Sequence, residues 1–257
     1  MGSHTRHTIP GPVALVGSGE YLDVMNEVDR YLLETLGGAN DATVALLPTA
    51  SGLEPNGPTS WNNLGLRHFK QLGVQDIRTT SIIDRDSAHD PAQLDLLREA
   101  DFYYFSGGHP LYLIETLRDT PAWEIIKAAY EAGAVLAGCS AGAMMLSGRT
   151  ISIRQAMLDG KIELVESMGI VPELIVFPHF DRMANFLDEQ RFHHLLHIIP
   201  RGYTVVGIDE ETALVRISAN AFDRTASLWR VMGRQTVKVF RKDAEPRVLR
   251  SGEETKL

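Results

Sequence analysis

Cysteine is almost absent from this chain: Cys139 is the only one in 257 residues. That count excludes an internal disulfide and any cysteine-based metal framework, and it fits a reducing compartment. Long apolar runs are missing as well. Nothing approaches the ~20 residues that cross a bilayer, and Met1-Gly2-Ser3-His4-Thr5-Arg6-His7 lacks the apolar stretch of a secretory signal. A cytoplasmic protein with no membrane partner is expected. Basic charge is the third scarcity, because 25 Lys and Arg stand against 33 Asp and Glu for a net charge of -8. Non-specific binding to nucleic acid needs clustered cations that displace counterions from phosphates, so nucleic acid is not an expected partner. No Pro/Ser-rich stretch, charge block or low-complexity run offers a linker. One domain over residues 1–257 is therefore expected, with about the first ten residues a flexible tail.

What is present is an ordinary globular composition, 44% hydrophobic, sufficient for a large core without staples. Up to about residue 150, apolar β-rich runs alternate with amphipathic segments. Strands are expected at Val13 to Val16, Thr43 to Leu47, Ile77 to Ile83, Phe102 to Phe105 and Ala134 to Ala137. Helices are expected between them, at about Asp23 to Leu36, Trp61 to Leu72, Pro91 to Glu99, Leu111 to Leu117 and Ala122 to Ala132. Such alternation builds a mostly parallel, doubly wound α/β sheet in three layers, with helices on both faces. Beyond it, Leu174 to Phe177 reads as a strand and Met183 to Ile199 as a helix. Thr204 to Ile208, Thr212 to Ile217, Ser227 to Met232 and Thr236 to Phe240 then read as short strands of a C-terminal antiparallel extension.

The chemistry-bearing motif is Gly138-Cys139-Ser140-Ala141-Gly142, which follows a buried strand and opens a helix-prone segment, Ala141 to Leu146. That is the context of a nucleophile elbow, in which small neighbours let the turn tighten and lift the serine hydroxyl above the sheet. The helix N-terminus behind it offers unpaired N–H groups to a developing oxyanion. A plain small-residue turn is the alternative, and Cys139 is a neighbouring candidate nucleophile one position off the apex. Ser106-Gly107-Gly108-His109-Pro110, at the end of another strand, supplies backbone N–H groups at the same edge of the sheet.

A serine nucleophile needs a base. Of nine histidines, His109 and His179 follow strand ends and can reach the edge where Ser140 stands. Pattern favours His179, in Phe177-Pro178-His179-Phe180, and spacing leaves His109 open. For the acid that orients the imidazole, Asp209-Glu210-Glu211 offers three carboxylates after a strand, with Asp159, Glu163 and Glu166 as competitors.

Taken in order, Leu47-Pro48-Thr49-Ala50-Ser51, Phe105-Ser106-Gly107-Gly108, Gly138-Cys139-Ser140-Ala141-Gly142-Ala143, Pro178-His179-Phe180 and Gly207-Ile208-Asp209-Glu210-Glu211-Thr212-Ala213 resemble the serine peptidase family of cyanophycinase and the α-aspartyl dipeptidases. The resemblance implies a class I glutamine amidotransferase-like fold. It also implies Ser140 as nucleophile, His179 as base, Glu210 as acid and an oxyanion hole from the N–H groups of Gly108 and Ala141. A small peptide or amide substrate is implied, with no metal or organic cofactor, and a homodimer is left open. Two departures concern substrate. His109-Pro110 stands where the family commonly has Asp-Gln or Asn, and Asp181-Arg182-Met183-Ala184-Asn185-Phe186 replaces an arginine-rich run. His109, Arg182 and Asn185 are thus the candidate substrate contacts, and aspartyl specificity is in question because Asn185 lacks the bidentate fork of a guanidinium; Arg182 or Arg191 is a candidate replacement. An α/β-hydrolase esterase, whose triad runs Ser, acid, His, and a non-catalytic binding protein on the same fold are the competing readings.

Overall fold

A computed structural model describes residues 9–151, 163–185, 189–218 and 227–257. The expected alternation is present. Parallel strands β1 (Val13–Val16), β2 (Thr43–Leu47), β3 (Asp76–Thr79), β4 (Phe102–Phe105) and β5 (Val135–Cys139) are separated by α1 (Asn26–Glu34), α2 (Gly57–Gln71), α3 (Pro91–Arg98), α4 (Pro110–Leu117) and α5 (Pro121–Glu131). Three of these helices begin where a side chain accepts a first-turn N–H and a proline follows. Asp90 accepts from Ala92, His109 from Tyr112, and Thr120 from Trp123. Proline at that position gives up an N–H that has no partner in any case.

After β5 the chain turns into α6 (Ala141–Leu146), then β6 (Ser147–Ile151), β7 (Leu164–Glu166), β8 (Val171–Phe177), α7 (Glu189–Ile198) and β9 (Thr204–Ile208). The last strands are β10 (Thr212–Ser218), β11 (Leu228–Gly233), β12 (Thr236–Arg241), β13 (Arg247–Arg250) and β14 (Glu254–Lys256). They divide between two sheets. The main sheet has the order β14-β11-β10-β1-β5-β4-β2-β3, so β10, β11 and β14 form the expected antiparallel extension beside β1. The second sheet, β13-β12-β9-β8-β6-β7, holds the strands at 171–177 and 204–208, which pair in parallel with each other.

Side-chain alternation on the main sheet explains the layers. Phe102 and Tyr104 of β4 pack with α1 and α2 residues such as Leu32, Leu33 and Phe69. Tyr103 and Phe105 face the other way, among Leu97, Leu113, Ile126 and Met145 and the inner face of the second sheet, Val176, Val206 and Ile208. Residues of opposite parity on that sheet, Ile175, Phe177 and Val205, lie beneath Phe192 and Leu195 of α7. All four aromatic residues of β4 are fully buried. Truncating one to alanine costs about 3–5 kcal/mol, which makes β4 a rigid base for the loop at its carboxyl end. The ends of β1, β4 and β5, the β8 terminus and the β9–β10 connection all converge there.

Candidate active site

The elbow has the geometry its sequence requires. β5 ends at Cys139, Ser140 takes φ 51° and ψ -108°, and α6 starts at Ala141. A non-glycine residue with positive φ costs about 1–3 kcal/mol. The Ser140 N–H is tied to the Val16 carbonyl at 2.9 Å, which helps to hold that turn. Glycines flank it because nothing larger fits. A Cβ on Gly138 would lie 2.4 Å from the Gly142 carbonyl carbon, and one on Gly142 would lie 2.4 Å from the Phe105 oxygen.

His179 follows β8, also with positive φ (50°), and its N–H reaches the Gly17 carbonyl at 3.3 Å. Its Nε2 is 3.0 Å from Ser140 Oγ and its Nδ1 is 2.9 Å from Glu210 Oε1. An ionised carboxylate can only accept, so Nδ1 carries the proton and Nε2 accepts from the serine hydroxyl. Glu210 lies in the β9–β10 connection. Its N–H donates to Asp181 Oδ1 at 2.9 Å, its carbonyl accepts from Gln235 at 3.0 Å, and its second carboxylate oxygen is 3.4 Å from Arg182 Nη2.

Geometry separates the candidates that spacing could not. Asp209 is buried and takes the N–H and hydroxyl of Thr236 at 3.2 and 2.5 Å. Glu211 pairs with Arg234 at 2.7 Å on the surface. Glu163 and Glu166 are exposed, and Asp159 and the side chain of Asn185 lie outside the described residues. His109 is a helix cap rather than the partner of Ser140, since its Nδ1 accepts the Tyr112 N–H at 3.0 Å. Arg182 is 60% exposed beside Glu210. With Glu211, Arg234 and Gln235 these two residues line an open depression of about 360 Å³.

The loop after β4 lies against Ser140, because a Cβ on Gly107 would stand 3.5 Å from Ser140 Cβ. Gly108 has φ 144°, and a Cβ there would strike the Ala50 carbonyl at 2.3 Å, so only glycine is accommodated. The N–H groups on either side are committed, Gly107 to Glu20 at 2.8 Å and His109 to Ala50 at 2.7 Å. Ala141, first residue of α6, has an N–H with no acceptor inside the helix.

Cys139 is fully buried, and its Sγ donates to Glu20 Oε2 at 2.7 Å. Burial, reinforced by the Glu20 carboxylate, pushes its thiol pKa well above the ordinary value, so the nucleophilic thiolate is suppressed. Glu20 itself escaped the sequence reading. The available signal was Gly17-Ser18-Gly19-Glu20 directly after β1, at the sheet edge where open α/β folds bind ligands. Among the described residues no cluster of His, Cys, Asp or Glu could hold a metal ion, and no helix is long and apolar enough to cross a membrane.

Comparison with known proteins places the chain in a family. The family model of Peptidase family S51 matches residues 13–222. A cyanophycinase of Geminocystis herdmanii is 30% identical over 185 residues, covering 69% of this chain and 64% of the relative. The chain thus spans just under two thirds of that protein's length. A cyanophycinase of Trichormus variabilis is 26% identical over 220 residues, covering 82% of this chain and 68% of the relative. Among solved structures, a peptidase from an acI-B1 Actinobacterium superposes with a TM-score of 0.83 at 31% identity, covering 98% of both chains. A putative peptidase E of Listeria monocytogenes shares the fold, with a TM-score of 0.58 at 20% identity, over 90% of this chain and 98% of that one.

Proposed function

The chain belongs to Peptidase family S51, and from that premise we propose that it is a serine peptidase acting through an acyl-enzyme on Ser140. The observation that carries the proposal is the continuous hydrogen-bonded path Ser140–His179–Glu210, at 3.0 and 2.9 Å, on an elbow with positive φ. Ser140 Oγ attacks the amide carbonyl carbon while its proton passes to His179 Nε2. Glu210 keeps Nδ1–H in place and stabilises the imidazolium. The carbonyl oxygen becomes an oxyanion that accepts from the N–H groups of Gly108 and Ala141. On collapse the C–N bond breaks, and the amine leaves with the proton from Nε2. Water then attacks the acyl ester, giving a proton to His179, and the second collapse returns that proton to Ser140 Oγ.

For the substrate we propose a small peptide contacted by His109 and Arg182. With Nδ1 used as a cap acceptor, a neutral His109 carries its proton on Nε2, a donor on the residue next to Gly108. Arg182 offers an exposed guanidinium beside Glu210, and a role in binding a substrate carboxylate follows from its chemistry. The Ser, His, Glu order along the chain argues against an α/β-hydrolase, in which histidine comes last. A library of short peptides scored by released amine, run beside short acyl esters, tests the reading. Amine release that disappears in His179→Ala is expected; cleavage confined to the esters would sink the peptidase assignment.

A further inference from the structure

We infer that Glu20 is a positioning residue for this reaction, holding the oxyanion donor loop and the nucleophile elbow in one register; the inference rests on Ser140 being the nucleophile. Glu20 lies in the loop after β1 and is 8% exposed. Among the described residues no cation forms an ion pair with it. A buried carboxylate without a counter-charge is tolerated only when hydrogen bonds replace its lost hydration. Both of its oxygens are so used. Oε1 accepts the Gly107 N–H at 2.8 Å and Oε2 accepts the Cys139 thiol at 2.7 Å.

These two donors belong to different segments, the loop after β4 and the end of β5, and each immediately precedes a residue of the proposed chemistry. Gly107 precedes Gly108, and Cys139 precedes Ser140. Gly107 packs close to both Glu20 and Ser140, since a Cβ there would lie 3.1 Å from Glu20 Oε1 and 3.5 Å from Ser140 Cβ. The peptide bearing the Gly108 N–H is thereby pinned from both sides, by Glu20 on the Gly107 N–H and by the Ala50 carbonyl on the His109 N–H. A carboxylate also discriminates. Rotating the peptide that precedes Gly107 would turn the Ser106 carbonyl toward Glu20, setting acceptor against acceptor. A neutral amide at position 20 lacks that veto, because it can serve either rotamer with its oxygen or its nitrogen. Glu20 therefore acts on the rate through Gly108 and Ser140 without itself touching the substrate.

The test is the second-order rate of fluorophosphonate labelling at Ser140, measured per folded protein well below each variant's Tm, so that lost stability alone does not enter. Glu20→Ala is expected to label about 100-fold more slowly and Glu20→Gln about tenfold more slowly, a partial rescue by the amide oxygen. Glu20→Asp keeps the charge but is one methylene too short to reach both donors. It is expected to lose about tenfold, and it decides the matter if the alanine variant does not accumulate. A folded alanine or aspartate variant that labels within about twofold of the unaltered protein overturns the inference. Failure of the unaltered protein to label at Ser140 overturns the serine reading and this inference with it; the two failures are distinct because only the first, labelling that survives substitution, requires a change at position 20.

Discussion

Replacing Glu210 by glutamine changes the site by one atom and removes one charge. Under the proposed mechanism His179 becomes an imidazolium in the transition state; in the structure its Nδ1 lies 2.9 Å from Glu210 Oε1, with the two side chains 32% and 27% exposed. Charge centres about 4 Å apart interact by about 1 kcal/mol at the dielectric of water and about 4 kcal/mol at an effective dielectric near 20. Partial exposure places this pair between those limits. At 1.36 kcal/mol per decade, the lost charge alone slows acylation by about fivefold to about 10³-fold. A second effect adds to it. The glutamine NH₂ can donate to Nδ1, which moves the imidazole proton to Nε2, where it blocks transfer from Ser140. Acid-to-amide changes of this kind cost about 10⁴-fold in other triads, so a loss of about 10²- to 10⁴-fold in kcat/KM is expected. The assay is peptide turnover and fluorophosphonate labelling in parallel, with circular dichroism to confirm the fold. Folded Glu210→Gln within about threefold of the unaltered protein would refute the assignment of the acid.

Two other changes report on neighbouring groups. Asp209→Asn leaves the triad untouched but alters a buried acceptor of two Thr236 donors; it is expected to lower stability by about 1–3 kcal/mol in a denaturant titration, with kcat/KM of the folded protein little changed. The Cys139 thiol, whose pKa is raised by burial and by Glu20, is expected to resist iodoacetamide at pH 8 in the native protein and to react on unfolding. Because the folded value lies above the unfolded one, the associated stability is intact at neutral pH. It declines as pH rises through and beyond the ordinary thiol range, which thermal melts across alkaline pH would register. Rapid native-state alkylation would contradict the buried, protonated thiol.

Much of this arrangement was legible in the residues because its determinants are local. The runs Val13–Val16, Thr43–Leu47 and Phe102–Phe105 coincide with strands, since fully buried parallel strands read as unbroken apolar segments. The elbow was equally plain, because Gly138 and Gly142 are dictated by contacts within one turn and its neighbours. Edges were less so. The strand expected to reach Ile83 stops at Thr79, where Thr80 turns its hydroxyl to the Leu46 carbonyl and Ile82 drops into the core outside the ladder. α2 starts at Gly57, four residues ahead of the expected Trp61, with Pro58 in its first turn. Met183 to Ile199 read as one helix, yet a 3-10 turn at Phe180–Asn185 precedes α7.

The division of the later strands into two sheets was not legible, because pairing between residues far apart in sequence leaves no mark on either strand alone. Glu20 was missed for a related reason. Its partners, Gly107 and Cys139, lie 87 and 119 residues away. The family resemblance pointed to Glu210, but local pattern alone could not choose among Asp209, Glu210 and Glu211, since adjacent residues in a turn point in directions set by their distant partners Thr236, His179 and Arg234.

The central claim is that Ser140 is a nucleophile activated by His179, and intact-mass spectrometry after fluorophosphonate treatment tests it most directly. A single adduct on the native protein, mapped to Ser140, is expected, with none on folded Ser140→Ala or on heat-unfolded chain. Equal labelling of Ser140→Ala, or a native protein that takes up no probe, would contradict it.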